Sequence, residues 1–192
     1  VAKNVTPQLS DAAFIREKVP MTKEEIRHVS ICKLHLKSDS VLYDVGSGTG
    51  SIAVEAASLS DDMEVYAIEQ KENAVQLITQ NKEKHGLENI HVINAKAPDG
   101  MENFPVPTHA FIGGSSGNLK EIIEALKAKN SHIRIVINAI SIETICEIKE
   151  ILSAYDVKNE DIVQLQVSRS KQIGHYHLMQ AENPVWICSF EF

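Results

Sequence analysis

With 192 residues, 43% of them hydrophobic and 23% charged, the chain has the size and composition of one packed α/β or α+β core rather than of a disordered or fibrous protein. An excess of 26 acidic over 19 basic residues gives a formal net charge of -7, which argues against a nucleic-acid partner because a phosphate backbone selects a concentrated basic face. No run approaches the ~20 apolar residues of a membrane span, and residues 1–18 lack the apolar stretch of a secretion signal, so the expectation is a cytoplasmic protein with no membrane partner.

Residues 1–37 read as an N-terminal helical segment, with a helix over 22–36. Its apolar positions Ile26, Val29, Ile31, Leu34 and Leu36 fall mostly at helical spacing, and Thr22 followed three residues later by Glu25 forms a capping box. A short apolar run at 41–45 predicts the first strand. A glycine-rich turn and an alanine-rich helix over 51–59 follow it. A strand at 64–68 leads to a helix over 73–85 that stops at Gly86.

The alternation continues with a strand at 90–93, a Pro-rich loop at 98–107, a strand at 109–112 and a helix over 118–128. A strand at 133–137 and a helix over 142–155 come next. Alternating apolar residues at Ile162, Val163, Leu165 and Val167 then precede an irregular stretch, and 184–192 forms the last strand. Strands separated by helices imply a parallel sheet covered on both faces, because parallel neighbours need crossover connections. The fold class expected is therefore α/β: a doubly wound, mostly parallel seven-stranded sheet in a single domain spanning 1–192. Two consecutive terminal strands predict an antiparallel hairpin at its end. Cys32, Cys146 and Cys188 are few, far apart and flanked by apolar residues, and read as buried free thiols.

The chemistry concentrates at Asp44-Val45-Gly46-Ser47-Gly48-Thr49-Gly50-Ser51, between the first strand and its helix. In open α/β sheets that turn lies where ligands bind, at the carboxyl ends of the strands, and its glycines let backbone approach a ligand closely. Ser51 stands where a dinucleotide fingerprint places its third glycine, and no Gly-Lys-Ser/Thr follows, so neither a pyrophosphate loop nor a P-loop fits. About twenty residues on, the second strand ends at Glu69, whose carboxylate suits the two vicinal hydroxyls of a ribose.

This combination resembles the class I, Rossmann-like S-adenosylmethionine-dependent methyltransferases. The resemblance implies S-adenosylmethionine as cofactor, with Gly46, Ser47, Gly48, Thr49 and Gly50 on its methionine part, Glu69 on its ribose and Ala97 at its adenine. It also places Thr22 near the cofactor. Lys96 departs from relatives that often carry an acid beside the adenine. Three further stretches are similar to one branch: Val19-Pro20-Met21-Thr22-Lys23-Glu24-Glu25-Ile26-Arg27, Phe111-Ile112-Gly113-Gly114-Ser115-Ser116-Gly117 and Asn183-Pro184-Val185-Trp186-Ile187. They resemble the decarboxylating precorrin and cobalt-precorrin methyltransferases of cobalamin biosynthesis, including those that act at C-15 of cobalt-precorrin-6B. That likeness implies methylation of a ring carbon of a small-molecule tetrapyrrole, coupled to loss of carbon dioxide from an acetate side chain, by a homo-oligomer, a tetramer.

Independent features agree with a bulky acceptor. No Asn/Asp-Pro-Pro-aromatic motif follows the fourth strand, and Gly113 and Gly114 open room at the methyl-donor end. The acceptor's carboxylates make Arg16, Lys18, Arg27, Arg169, Lys171 and His175 candidate partners; a solvated surface charge is the competing reading for each. Methyl transfer to carbon requires an electron-rich nucleophile aligned with the sulfonium, so positioning and exclusion of water carry the acceleration, and no residue is assigned as a general base. His175 and His177 share a face of an extended chain but have no third ligand nearby, which sets a zinc site aside. A methyltransferase acting on RNA or protein, and a cofactor-binding module without catalysis, are the alternatives the same fold allows.

Overall fold

Strand β1 (Val41–Val45) lies third in a seven-stranded sheet, in a computed structural model that describes residues 6–192. The first five residues, part of the predicted N-terminal segment and of the stretch read for a leader, lie outside the described residues. Around β1 the order is β3 (Ile90–Asn94), β2 (Glu64–Glu69), β1, β4 (His109–Ile112), β5 (Arg134–Ala139), β9 (Val185–Glu191) and β6 (Lys158–Leu165). Strands β1 to β5 pair in parallel, and β9 runs antiparallel between β5 and β6. Strand order reverses between β1 and β4, which opens a crevice beyond their carboxyl ends.

Among the described residues five α-helices cover the sheet: α1 (Glu24–Leu34), α2 (Ser51–Ala57), α3 (Glu72–Lys84), α4 (Leu119–Lys129) and α5 (Ile142–Ala154). The inner strands β1, β4 and β5 are apolar on both faces because both are buried. On one face Tyr43, Val45, Ile112, Ile135 and Ile137 pack with Leu119, Ile122, Ile123 and Leu126 of α4 and Ile148 and Ile151 of α5. On the other, Leu42, Val65, Ala67, Phe111 and Val136 pack with α1, α2 and α3. Every residue of α2 is buried; its Ala53, Ala56 and Ala57 let the helix lie close to the sheet. Helix α3 buries Ala74, Leu77, Ile78 and Asn81, a single stripe at helical spacing.

Three expectations are corrected. Helix α1 begins at Glu24 with Lys23 as its N-cap and no side-chain cap, so Thr22 and Glu25 form no capping box. The reason is local: Thr22 O accepts from Arg27 Nη1 at 2.9 Å, which holds Thr22 outside the helix. The irregular stretch before the last strand is a second hairpin, β7 (Ser168–Ile173) and β8 (Tyr176–Ala181), forming its own two-stranded sheet. The terminal antiparallel pair is therefore β6 with β9, and the β7–β8 arm lies between them in sequence. Of the cysteines only Cys188 is buried; Cys32 and Cys146 are exposed, because they sit on the outward faces of α1 and α5.

At the amino end of β4, His109 is buried opposite Arg134 of β5. Burial, then the Arg134 guanidinium and Lys37, push its imidazole down to about 4. Unfolded histidine titrates near 6.5, so as pH falls from there towards 4 the unfolded chain takes up a proton that the native site refuses. Stability from this group is full above pH 6.5 and falls by about 1 kcal/mol per pH unit within the window. Asp44, buried and pushed up to about 7, acts in the opposite sense over much of the same range. The expected result is therefore a difference: urea denaturation of His109→Gln loses the acid-side decline relative to the parent protein between pH 6.5 and 4.5. Parallel curves would remove His109 from the balance.

Candidate functional site

The turn after β1 takes its shape from glycine backbone and from the carboxylate beneath it. Gly46, Gly48 and Gly50 have φ of 69°, 60° and 78°, a region costly for residues with a Cβ. Gly46 N and Ser47 N donate to Ile68 O of β2 at 2.9 and 3.2 Å, which ties the turn to the neighbouring strand. Below it, Asp44 Oδ2 accepts from Ser47 Oγ at 2.6 Å and from Ala53 N at 3.2 Å. Burial raises the Asp44 carboxyl to about 7; the Ser47 and Ala53 hydrogen bonds oppose the rise, and the charge of Glu69 adds to it.

Glu69 closes the other side of the crevice. It is 8% exposed; its Oε2 accepts from Gly48 N at 3.0 Å and its Oε1 from Lys71 N at 2.9 Å. The two backbone donors fix the carboxylate plane and leave a further lone pair on each oxygen. Asp44 Oδ1 and Thr49 Oγ1 are buried with no hydrogen-bond partner.

These elements open onto a cleft of about 690 Å³. Of the predicted cofactor residues, Thr22, Gly46, Ser47, Gly48, Glu69 and Ala97 line it. Thr49 and Gly50 form the back of the turn, where Gly50 packs on Ile78 of α3. Of the predicted acceptor residues, Lys18, Gly113 and Gly114 line the cleft. Lys23, Lys71 and Asn138 also line it and escaped the sequence reading; Lys71, two residues beyond the strand-terminal acid, was the one with a usable signal.

The remaining basic candidates do not converge there. Arg27 is fully buried: it pairs with Glu55 at 2.9 Å and Asp11 at 3.2 Å, donates to Thr22 O and Leu9 O, and lies 4.6 Å over the Phe14 ring. Its place on the inward face of α1 makes it a structural cation and corrects the expectation of an acceptor ligand. Arg169 is already engaged by Glu182 at 2.8 Å and by Glu25. Lys171 and His175 are exposed on the β7–β8 arm, and Arg16 is exposed before the cleft; none of the three lines it. Among the described residues no group of three or more His, Cys, Asp or Glu could hold a metal, and no helix is long and apolar enough to cross a membrane.

The cleft fits S-adenosylmethionine on its own geometry. A methyl at Gly48 would stand 3.1 Å from Pro20 O, so the turn and the N-terminal segment approach closely there and bound one side of the cleft with backbone. At one end of it Glu69 offers paired acceptors to a diol. Ile68, Ala95 and Ala97 give an apolar wall beyond, suited to a purine.

Comparison with known proteins agrees. Residues 12–191 match the family model described as "Precorrin methyltransferase domain". A protein of Pyrobaculum calidifontis named "Probable cobalt-precorrin-6B C(15)-methyltransferase (decarboxylating)" is 37% identical over 95% of this chain and 94% of its own length. The crystal structure of precorrin-6y C5,15-methyltransferase from Geobacter metallireducens superposes with a TM-score of 0.91 at 30% identity over the whole of both chains. That of precorrin 8W decarboxylase from Methanobacterium thermoautotrophicum gives 0.87 at 31% identity over 95% of this chain and 98% of the other. The chain belongs to the precorrin methyltransferase domain family, and is an S-adenosylmethionine-dependent enzyme of the class I, Rossmann-like type.

Proposed function

We propose that this enzyme methylates C-15 of cobalt-precorrin-6B, with loss of carbon dioxide from an acetate side chain, and that residues 1–192 serve this as one domain in which 1–37 contributes to the acceptor side. The observation that carries the reading is the floor of the cleft after β4. Gly113 and Gly114 line it without side chains, and a Cβ at Gly114 would meet nothing within 4 Å. A broad, flat acceptor needs that space. Lys18 stands along the lining, a cation suited to a carboxylate of a tetrapyrrole. The names carried by the relatives point to the same substrate class.

S-adenosylmethionine supplies an electrophilic methyl group on its sulfonium. The chain's part is to orient it and keep water away: Glu69 takes the ribose hydroxyls, the Gly46–Gly50 turn takes the methionine end, Ala97 meets the adenine, and residues 18–22 cover the cleft. Thr22 lines that cover beside the cofactor. Such positioning accelerates a transfer whose nucleophile is the acceptor's own electron-rich carbon.

Two measurements test this. Glu69→Ala, followed by calorimetry with S-adenosylhomocysteine, is expected to weaken binding by about 1.5–3 kcal/mol, the worth of charge-assisted hydrogen bonds; unchanged affinity removes Glu69 from the site. Methyl-labelled cofactor is then offered to a cobalt-corrin precursor, to tRNA and to protein. Label in the corrin with stoichiometric carbon dioxide is expected, and label in RNA or protein alone overturns the reading.

The β7–β8 arm exposes Ile173, Tyr176, Leu178 and Met179, each more than half accessible. So much apolar surface on one hairpin supports self-association, and the form we propose is a cytoplasmic homotetramer. Sedimentation equilibrium is expected to return four times the chain mass, and a monomer at micromolar concentration contradicts it.

A further inference from the structure

Asn81 lies in the inward stripe of α3 and is fully buried. A carboxamide in such a place is unfavourable unless its polar groups are met. Its Oδ1 accepts from Ile15 N at 2.7 Å, and its Nδ2 donates to Ile15 O at 2.8 Å and to Thr49 O at 2.9 Å. One side chain thus grips the N-terminal segment through both backbone groups of Ile15, as a neighbouring strand would, and grips the glycine turn through a carbonyl.

From Ile15 the chain runs over the cleft as a strap. Lys18 to Thr22 line it, and Pro20 O stands against the position a Cβ would take at Gly48. The far end is held where Thr22 O accepts from Arg27. Between those anchors the one backbone hydrogen bond among the described residues is Val19 N to Arg16 O, at 2.9 Å. Among the described residues, the hydrogen bonds that link strap to turn run through Asn81.

We propose that Asn81 is a positioning residue that makes closure of the 15–22 strap and ordering of the glycine turn a single event, so that bound S-adenosylmethionine holds the strap shut and the strap retains the cofactor. The inference rests on the cofactor placement above. Because coupling is reciprocal, ligand must protect the strap to the degree that the strap favours ligand.

Arg16 and Lys18 are exposed and give trypsin two sites within the strap. In the full parent chain, saturating S-adenosylhomocysteine is expected to slow cleavage after both by about tenfold or more, within the usual range of coupling energies. Asn81→Ser and Asn81→Leu are each expected to weaken S-adenosylhomocysteine about ten- to hundredfold and to lose that protection at saturating ligand. A purely structural Asn81 would lower the melting temperature of the folded variants while leaving affinity and protection at the parent values, and that result overturns the proposal. Should both variants fail to fold, the parent decides: cleavage indifferent to ligand also overturns it. Parent-like affinity in Glu69→Ala would instead place the failure in the cofactor site, whereas loss there with parent-like affinity in the Asn81 variants rejects the coupling alone.

Discussion

Gly46→Ala is expected to abolish measurable S-adenosylmethionine binding, with a loss of more than about a hundredfold, and to destabilise the fold by about 2–4 kcal/mol. The added Cβ would fall against Gly114 O and 2.8 Å from Gly114 N, at a φ of 69° that already disfavours alanine. Gly114 cannot recede freely, because β4 is hydrogen-bonded to β1 up to that point, with Gly113 N donating to Val45 O at 2.9 Å. The turn itself must shift, and Glu69 would lose Gly48 N with it. Gly114→Ala is the contrasting case: its methyl meets open space, so cofactor affinity is expected to stay within about threefold of the parent while the acceptor's KM rises. Calorimetry with S-adenosylhomocysteine and urea denaturation on both variants separate the two. Equal behaviour at the two glycines would mean that the close approach of the turn to β4 has no role in binding.

Arg27→Met is expected to cost about 3–5 kcal/mol of stability, because it leaves Glu55 buried without the guanidinium that meets it at 2.9 Å, with His28 Nε2 at 3.6 Å. Glu55 is 2% exposed and also accepts from Gln8 N and Leu9 N, at 2.7 and 2.9 Å, through Oε1. The pair thus fastens the N-terminal segment to α1 and α2. Combining Arg27→Met with Glu55→Gln removes both charges and keeps an acceptor for the two amides, and is expected to recover more than half of the loss. Urea denaturation of the two variants measures this directly. A single-variant cost below about 1 kcal/mol, the level of an exposed pair, would show that the cation contributes little to holding the segment.

What could be read from the sequence follows from range. Strands β1, β2, β4 and β5 and the helices carry apolar runs because they are buried on two faces or along one stripe, and the turn at Gly46 announces itself by composition. The β7–β8 arm gave no such signal: all of β8 and most of β7 are exposed, so no alternation of buried and exposed positions marks them. Arg27 looked like any surface cation on a helix. Its burial depends on Glu55, 28 positions away, and on Asp11. Asn81 was invisible for the same reason, since its partners Ile15 and Thr49 lie 66 and 32 positions distant. Thr22 and Glu25 satisfied a capping rule that the contact from Arg27, five positions on, to the Thr22 carbonyl overrode.

A crystal structure of the full chain with S-adenosylhomocysteine measures most directly where the nucleoside sits. The expected result places both ribose hydroxyls within about 3 Å of the two Glu69 oxygens, with the homocysteine end over the Gly46–Gly50 turn and under residues 18–22. A nucleoside bound elsewhere, or one in the cleft with its ribose turned away from Glu69, would contradict it.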